Sequence, residues 1–578
     1  MAAIDHTEED FNRDEKVQAL GFVGGHSEMS WLYRLKRYLA HDSAVPVDEN
    51  PDPSISTLNY FQDDTEVPNL DRLDPTERPL PHIDDKLVND YFESVHPAFP
   101  IIGKAVFLGQ YRSFYLNPAV WPGKRWMAIL NMVFAIAAKH SRLFNTDSEH
   151  WDDDKVYFAR AWRLSVGPNT LLDHPNLQQV QVDGLASFYL LSTGQVNRFV
   201  GPFNVNRGQG SNQGLSSLCR SWRIIGVAIR SAVAMGLNLR SESDLVRHVS
   251  KETRYRVWWA LFKLDTVLCV MTGRPPTTSG IFCTTPLPVP FREEDFENSA
   301  IIQLITDQDL RTSLLTSLLS PAATTPGLSE SSTDHPHLTS PGPGSRPQNE
   351  QYVQALTESL TPNVSLYFLY VVDLAFIMRE AVEKLYAPGA RRQSWSEMER
   401  TMSTLNDSTD DWFSRLPLEL RFTALDNNHL TRWRVGLGFR FYTTKLIISQ
   451  PCLSRLAYQI TDADNPSPLC DAMARMCVQA ARQMLFLLPD QADAAWLYGM
   501  TQWWCILHYL MQCTTVLLVE LLTRATPGTT EAAVLVADIK KAIRWLRAMS
   551  IDDPSAQQAY LICVDIIAQH GPQFGIIE

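Results

Sequence analysis

Arg254–Pro276, RYRVWWALFKLDTVLCVMTGRPP, constrains the fold more than any other stretch of the chain. Tyr255, Trp258, Leu261, Phe262, Leu268 and Cys269 recur at i, i+3 and i+4, which predicts an amphipathic helix with one face in a core. Gly273 and the prolines after it supply the stop. Glu252 precedes Arg256 by four residues, the spacing of a helical ion pair, and is placed on the exposed side. Asp265 breaks the pattern. It lies seven residues after Trp258, on the apolar face, where an ionised carboxylate needs a partner. Arg274, or an arginine of the preceding helix, is the expected one.

The same helical spacing governs the rest of the chain, and strand alternation and hairpin signals are absent, so the expected fold is all-α. A short helix is expected in SEMSWLYRLKRYLA, with Ser27 and Ser30 as caps and Arg34, Lys36 and Arg37 on a solvated face. The sequence divides into an N-terminal segment and linker (1–80), a first helical half (81–316), a disordered Pro/Ser-rich linker (317–350) and a second helical half (351–578). Phe199–Cys219, with four glycines, interrupts two helical segments. It reads either as a long surface loop or as the translation of an unspliced intron. No fixed-period repeat supports a solenoid.

The formal net charge of −13 argues against a large nucleic-acid surface, because phosphate neutralisation needs an excess of Lys and Arg. The nine cysteines have no CxxC spacing and fall mostly in apolar runs, the pattern of reduced, buried cysteines of an intracellular protein. The acidic N-terminus shows no secretory signal. Trp503–Leu522 is apolar enough to suggest a membrane span, but His508, Gln512 and Glu520 favour a buried core helix, and no membrane association is expected. Nucleotide-binding glycine loops, H-E-x-x-H and G-x-S-x-G do not occur. The aspartates of WDDDK at Trp151 read as helix caps rather than magnesium ligands, and His140 and His508 as core residues. No catalytic, cofactor-binding, metal-binding or DNA-binding residue is therefore assigned, no cofactor is expected, and the chain is not expected to be an enzyme.

The opening stretch resembles the most characteristic segment of the fungal-specific transcription factor domain, the middle homology region of fungal binuclear zinc-cluster regulators. The resemblance rests on Arg254, Arg256, Val257-Trp258-Trp259, Leu264-Asp265 and Gly273-Arg274-Pro275, in that order. Four further segments are similar to the same family: the His96-Pro97-x-Phe99-Pro100 turn after LVNDYFESV, the helix WRIIGVAIRSAVAMGLNL, FYTTKLIISQPCL with its proline turn, and ALGFVGGHSEMSWLYRLKR before the domain. The resemblance implies a transcriptional regulator located in the nucleus, of the kind that controls a metabolic or secondary-metabolite gene cluster. Its implied partners are other transcription regulators or a DNA-binding partner, and a small-molecule effector and a homodimer fit the same reading.

Two departures stand out. In this family a six-cysteine zinc cluster reads DNA, yet no cysteine occurs here before Cys219, so no direct DNA contact is expected from this sequence. A finger-less cofactor, or a helical interaction scaffold acting through a DNA-binding partner, is the alternative. The second departure is Phe199–Cys219 itself, because family members tend to run almost directly from Gly194-Gln195-Val196-Asn197-Arg198 into Ser221-Trp222-Arg223.

Overall fold

The computed structural model describes residues 23–42, 58–61, 74–77, 81–117, 122–144, 153–165, 174–195, 221–243, 245–278, 282–324, 346–423, 430–458 and 467–575. Among these the regular structure is helical. The N-terminal segment holds α1 (Glu28–Asp42), and the first half opens with α2 (Pro81–Ser94), α3 (Lys104–Leu116), α4 (Lys124–Phe144), α5 (Asp154–Ser165), α6 (Leu177–Ser192), α7 (Ser221–Ala234) and α8 (His248–Thr272). Then come α9 (Ser299–Thr306), α10 (Gln308–Leu318), α11 (Pro321–Thr324) and α12 (Arg346–Ser359). The second half holds α13 (Val364–Tyr386), α14 (Trp395–Arg415), α15 (Thr431–Ala457), α16 (Pro468–Phe486), α17 (Ala494–Met500), α18 (Ile506–Thr523), α19 (Thr530–Met549) and α20 (Pro554–His570).

Short polar side chains start many of these helices by accepting from orphan backbone N–H groups. Ser27 caps α1 through Ser30 N at 3.3 Å, and Asn363 caps α13 through Ser365 N at 2.9 Å and Leu366 N at 3.1 Å. Ser394 and Glu397 form a capping box on α14. At α5, Asp153 accepts from Lys155 N at 3.2 Å, while Asp154 turns inward to the Tyr189 hydroxyl at 2.7 Å and Arg142 at 2.9 Å. The WDDDK aspartates that are described thus serve the helix start and its packing.

Helix α4 packs against α2, α5 and α6, and α15 packs against α13, α14, α16 and α18. The halves meet where α8 lies against α13 and α17 against α4, and α1 of the N-terminal segment packs on α18. One continuous apolar core runs through both halves, from Val23 to Ile567. Trp503 and Trp504 sit in that core on a buried turn, residues 501–505, between α17 and α18. They do not belong to the helix expected there, which begins only at Ile506. Trp504 meets Phe188 at 5.0 Å and Trp503 meets His140 at 5.3 Å. Among single described helices only α18 is long and apolar enough to cross a membrane, and 83% of it is buried inside the protein.

The proline turn expected in FYTTKLIISQPCL is instead the interior of α15, which continues past Pro451 to Ala457. A proline inside a helix leaves the carbonyl four residues earlier without its donor. Here that carbonyl, Ile447 O, accepts from the Tyr386 hydroxyl of α13 at 2.6 Å. The linker expected over 317–350 contributes helix at both ends, in α10–α11 and at the start of α12; residues 325–345 lie outside the described ones. Ser320 explains the ordered end, because its N–H donates to Asp373 of α13 at 3.0 Å.

Phe199–Cys219 also lies outside the described residues, but its flanks are informative. Ser221 N donates to Gln195 O at 3.2 Å, and Ser187 of α6 donates to Ser221 O at 2.9 Å. The chain therefore leaves and rejoins the body at one point. Deleting Phe199–Cys219 leaves Val196, Asn197, Arg198 and Arg220 to close the gap, and the variant is expected to fold. The shorter loop should raise stability by about 1–2 kcal/mol through reduced closure entropy. Urea unfolding of the deleted and intact chains checks this, and a marked loss of stability would show that the insert packs into the body.

Candidate regulatory junction

Helix α8 was expected to be amphipathic, but from Tyr255 to Thr272 every residue is buried. Its charged groups therefore need partners inside the protein. Glu252 and Arg256 are buried rather than exposed, at 0% and 4% of their surface, and stand 3.8 Å apart. The closer partner of Glu252 is Arg311 of α10 at 2.8 Å, and Val289 N donates to the other carboxylate oxygen at 2.7 Å. Arg256 donates to Phe291 O at 2.7 Å and Ser365 Oγ at 3.0 Å, with Glu293 3.8 Å away. Trp259 Nε1 donates to Pro286 O at 2.9 Å. The extended, proline-containing segment after α8 thus doubles back along it and supplies many of the partners.

Asp265 is 0% exposed. The expected Arg274 is not what holds it. Its Oδ2 accepts from Thr277 N at 2.8 Å, Thr278 N at 3.2 Å and Thr278 Oγ1 at 3.2 Å. Arg379 of α13 donates to the same Thr278 hydroxyl. Burial pushes the carboxyl pKa up, while the two backbone donors and the Arg379 charge pull it back down. Arg274 lies instead over the Trp222 ring, 5.0 Å from its centroid.

The C-terminal end of α8 is gripped by the segment before α1. Gly273 adopts φ +71°, the left-handed cap that ends the helix, and its N–H reaches Cys269 O at 2.9 Å. Gly24 N donates to Thr272 O at 3.3 Å. A Cβ on Gly273 would fall 2.5 Å from the Gly24 backbone, so the two glycines permit a main-chain contact that no side chain could enter. His26 Nε2 donates to Cys269 O at 3.2 Å, its ring packs on Tyr386 at 4.9 Å, and burial holds its pKa down to about 4. Farther along, Glu28 pairs with His508 of α18 at 2.9 Å and accepts from Tyr60. Lys36, expected on a solvated face, reaches Asp565 of α20 at 2.8 Å. The N-terminal segment is thus tied to both halves. Beside Glu28, a cavity lined by His26, Trp31, Gln450, Gln512 and Thr515 has room for about one water.

Among the described residues no three or more His, Cys, Asp or Glu side chains are placed to hold a metal ion. The eight described cysteines are unbridged, and all but Cys283 are fully buried; Cys219 lies outside the described residues.

Comparison with known proteins agrees with this arrangement. The model of the fungal specific transcription factor domain matches residues 88–414. The chain belongs to this family. It is 31% identical to transcription regulator galc of Aspergillus niger over all of this chain and 71% of that protein. It is 23% identical to an ABC-transporter-regulating transcription factor of Aspergillus fumigatus, over 77% of this chain and 42% of that protein. Against the sorbicillinoid biosynthetic cluster transcription factor 2 of Penicillium rubens the identity is 23%, over 75% of this chain and 54% of that protein. No solved structure matches.

The polar residues and the glycine that mark the family at α8 each have a contact within the protein, while Pro275 is exposed. Arg254 donates to Met235 O at 3.2 Å; Arg256, Trp259, Asp265, Gly273 and Arg274 take the partners described above. The His96-Pro97-x-Phe99-Pro100 turn is held against α8 by Lys263, whose Nζ donates to Ala98 O at 3.0 Å. Lys263, Arg311 and Gly24 were not singled out from the sequence. For Lys263 a signal existed, a lysine within the apolar run ALFKLD.

Two substitutions test the junction. Asp265→Ala leaves two backbone N–H groups and a hydroxyl without their acceptor, and a loss of about 3–5 kcal/mol is expected. Asp265→Asn, which keeps an acceptor oxygen, should lose less than half as much; urea unfolding of both variants decides. Gly273→Ala should cost at least about 2 kcal/mol from the left-handed conformation and the clash with Gly24. It should also free the segment around Val23–Ser27 for limited proteolysis, and unchanged cleavage there would refute the clasp.

Proposed function

We propose that this chain is the regulatory body of a transcriptional regulator, acting in the nucleus through a DNA-binding module that it does not itself display. The observation that carries this reading is the burial of the family's marker residues from Arg256 to Asp265 along α8. Arg256 reaches Ser365 of the second half, Asp265 is linked through Thr278 to Arg379, and Gly273 meets Gly24 of the N-terminal segment, so the marker serves internal coupling rather than contact with DNA. A net charge of −13 and the lack of cysteines before Cys219 point the same way. The DNA-binding module belongs either to a longer form of the same protein or to a partner regulator, with which this chain acts as a finger-less cofactor.

The names of the relatives extend the proposal to gene clusters, since one regulates a biosynthetic cluster and another an ABC transporter. The halves 81–316 and 351–578 are proposed to act as one sensing unit responsive to a small metabolite, with homodimer formation compatible with it. Epitope tagging in the native host followed by chromatin immunoprecipitation tests the reading. Enrichment at a small set of promoters, with changed transcripts of adjacent genes on deletion, is expected. A protein confined to the cytoplasm, with no promoter enrichment and no transcript change, would refute it.

A further inference from the structure

Two buried cations meet where α8 of the first half approaches α15 and the 501–505 turn of the second. Lys263 is 1% exposed and Arg440 is 3% exposed. Lys263 Nζ has its hydrogen bond to Ala98 O and lies over the rings of Phe99 and Trp504, at 6.0 and 5.6 Å. Arg440 is less well provided: its guanidinium lies within hydrogen-bonding reach of the Tyr367 hydroxyl, but no well-formed hydrogen bond is made by the buried Nε and Nη2 to the described residues. Other buried cations have fuller partners: Arg434 donates to Arg421 O at 2.7 Å, and two have carboxylates. Arg311 has Glu252 and Lys445 has Asp410.

The two charges act on each other. Burial drives the Lys263 pKa well below its ordinary value, Arg440 lowers it further, and Cys505 alone opposes them. No carboxylate is among the groups acting on Lys263. Lysine can relieve such a site by losing its proton, but arginine stays charged, so Arg440 still needs a counter-ion. A water could satisfy its N–H groups without neutralising the charge.

The surroundings are those of a recognition site rather than of a packing defect. Three uncharged polar groups converge: the Tyr509 hydroxyl donates to Gln502 Oε1 at 3.3 Å, and Gln502 Nε2 donates to the Tyr367 hydroxyl at 3.1 Å. The Arg440 charge acts on both tyrosines. Gly436, one turn before Arg440 on the same face of α15, lets this chain approach. A Cβ there would stand 2.8 Å from Gln502 Nε2 and 3.0 Å from the Tyr367 hydroxyl. Gln502 is carried on a turn, not a helix.

We propose that Arg440 and Lys263, with Gln502 between the two tyrosines, form an internal site for the carboxylate of a small organic acid. Arg440 offers Nε and Nη2, a pair of donors that matches the two oxygens of one carboxylate. The site draws on both halves, so a bound acid would tie them together. This rests on the reading of the chain as a metabolite-responsive regulator, and it names the class of metabolite.

The test is thermal unfolding of the full chain at constant ionic strength, with sodium chloride replaced stepwise by sodium acetate, malonate or succinate, and acetamide as the uncharged control. A saturable rise in melting temperature with at least one carboxylate is expected, on the order of 3 °C at 100 times its Kd. Arg440→Met should melt above the wild type in chloride alone, because it removes an uncompensated buried charge, and should lose the carboxylate response. Lys263→Met gives a second variant with the same expected loss of response. No saturable response to any of the three acids would overturn the proposal. So would an Arg440→Met protein that melts lower yet keeps the response, or a chloride effect equal to that of the carboxylates, which would mean an adventitious ion only. Promoter occupancy is measured separately. Occupancy without acid binding removes only this site, and acid binding without occupancy removes only the regulatory reading.

Discussion

Burying a helix of 25 residues on every side of its C-terminal two-thirds is the constraint from which the rest of the architecture follows. Apolar side chains on α8 tolerate such burial, but Glu252, Arg256, Lys263 and Asp265 do not unless the chain brings compensating groups to them. Removing one partner of a buried pair typically costs about 3–5 kcal/mol, comparable to a large part of a domain's net stability. The groups that answer these charges come from far along the chain: Arg311 from α10, Ser365 and Arg379 from α13, Ala98 from the turn after α2. Folding of α8 and docking of its neighbours are therefore one event.

This explains why the two halves share a core instead of standing as separate bodies. The Trp503–Trp504 turn reaches Phe188 and His140 of the first half, and the Tyr386 hydroxyl that mends the break at Pro451 belongs to a helix that also packs on α8. A perturbation at either half is transmitted through side chains with few alternative arrangements. Such coupling is a physical requirement for a body that converts an internal binding event into a change at its surface.

Much of this was legible in the sequence, and the part that was not has a common cause. The stop of α8 at Gly273 follows from local spacing and local backbone preference, as do the caps at Ser27 and Asp153. The marker residues announced the family. What local pattern could not give is the far side of α8: the helix looked amphipathic because Glu252 and Arg256 were read as solvent-facing, whereas Glu252 is buried against Arg311 and Arg256 against Phe291 O and Ser365. Asp265 was correctly expected to be buried and held, but by the wrong group, since the turn Thr277–Thr278 that folds back onto it can be recognised only once α8 has ended. Pro451 likewise signals a break by itself, and only the tertiary donor at Tyr386 lets α15 continue.

The main-chain contact between Gly24 and Gly273 fixes more than the end of a helix. It holds Val23 and the turn before α1 against the most deeply embedded helix of the protein, with Gly24 N 3.3 Å from Thr272 O. The position of that turn is therefore set by the end of α8 and not by a surface loop, so any shift of the helix end is felt first at Gly24.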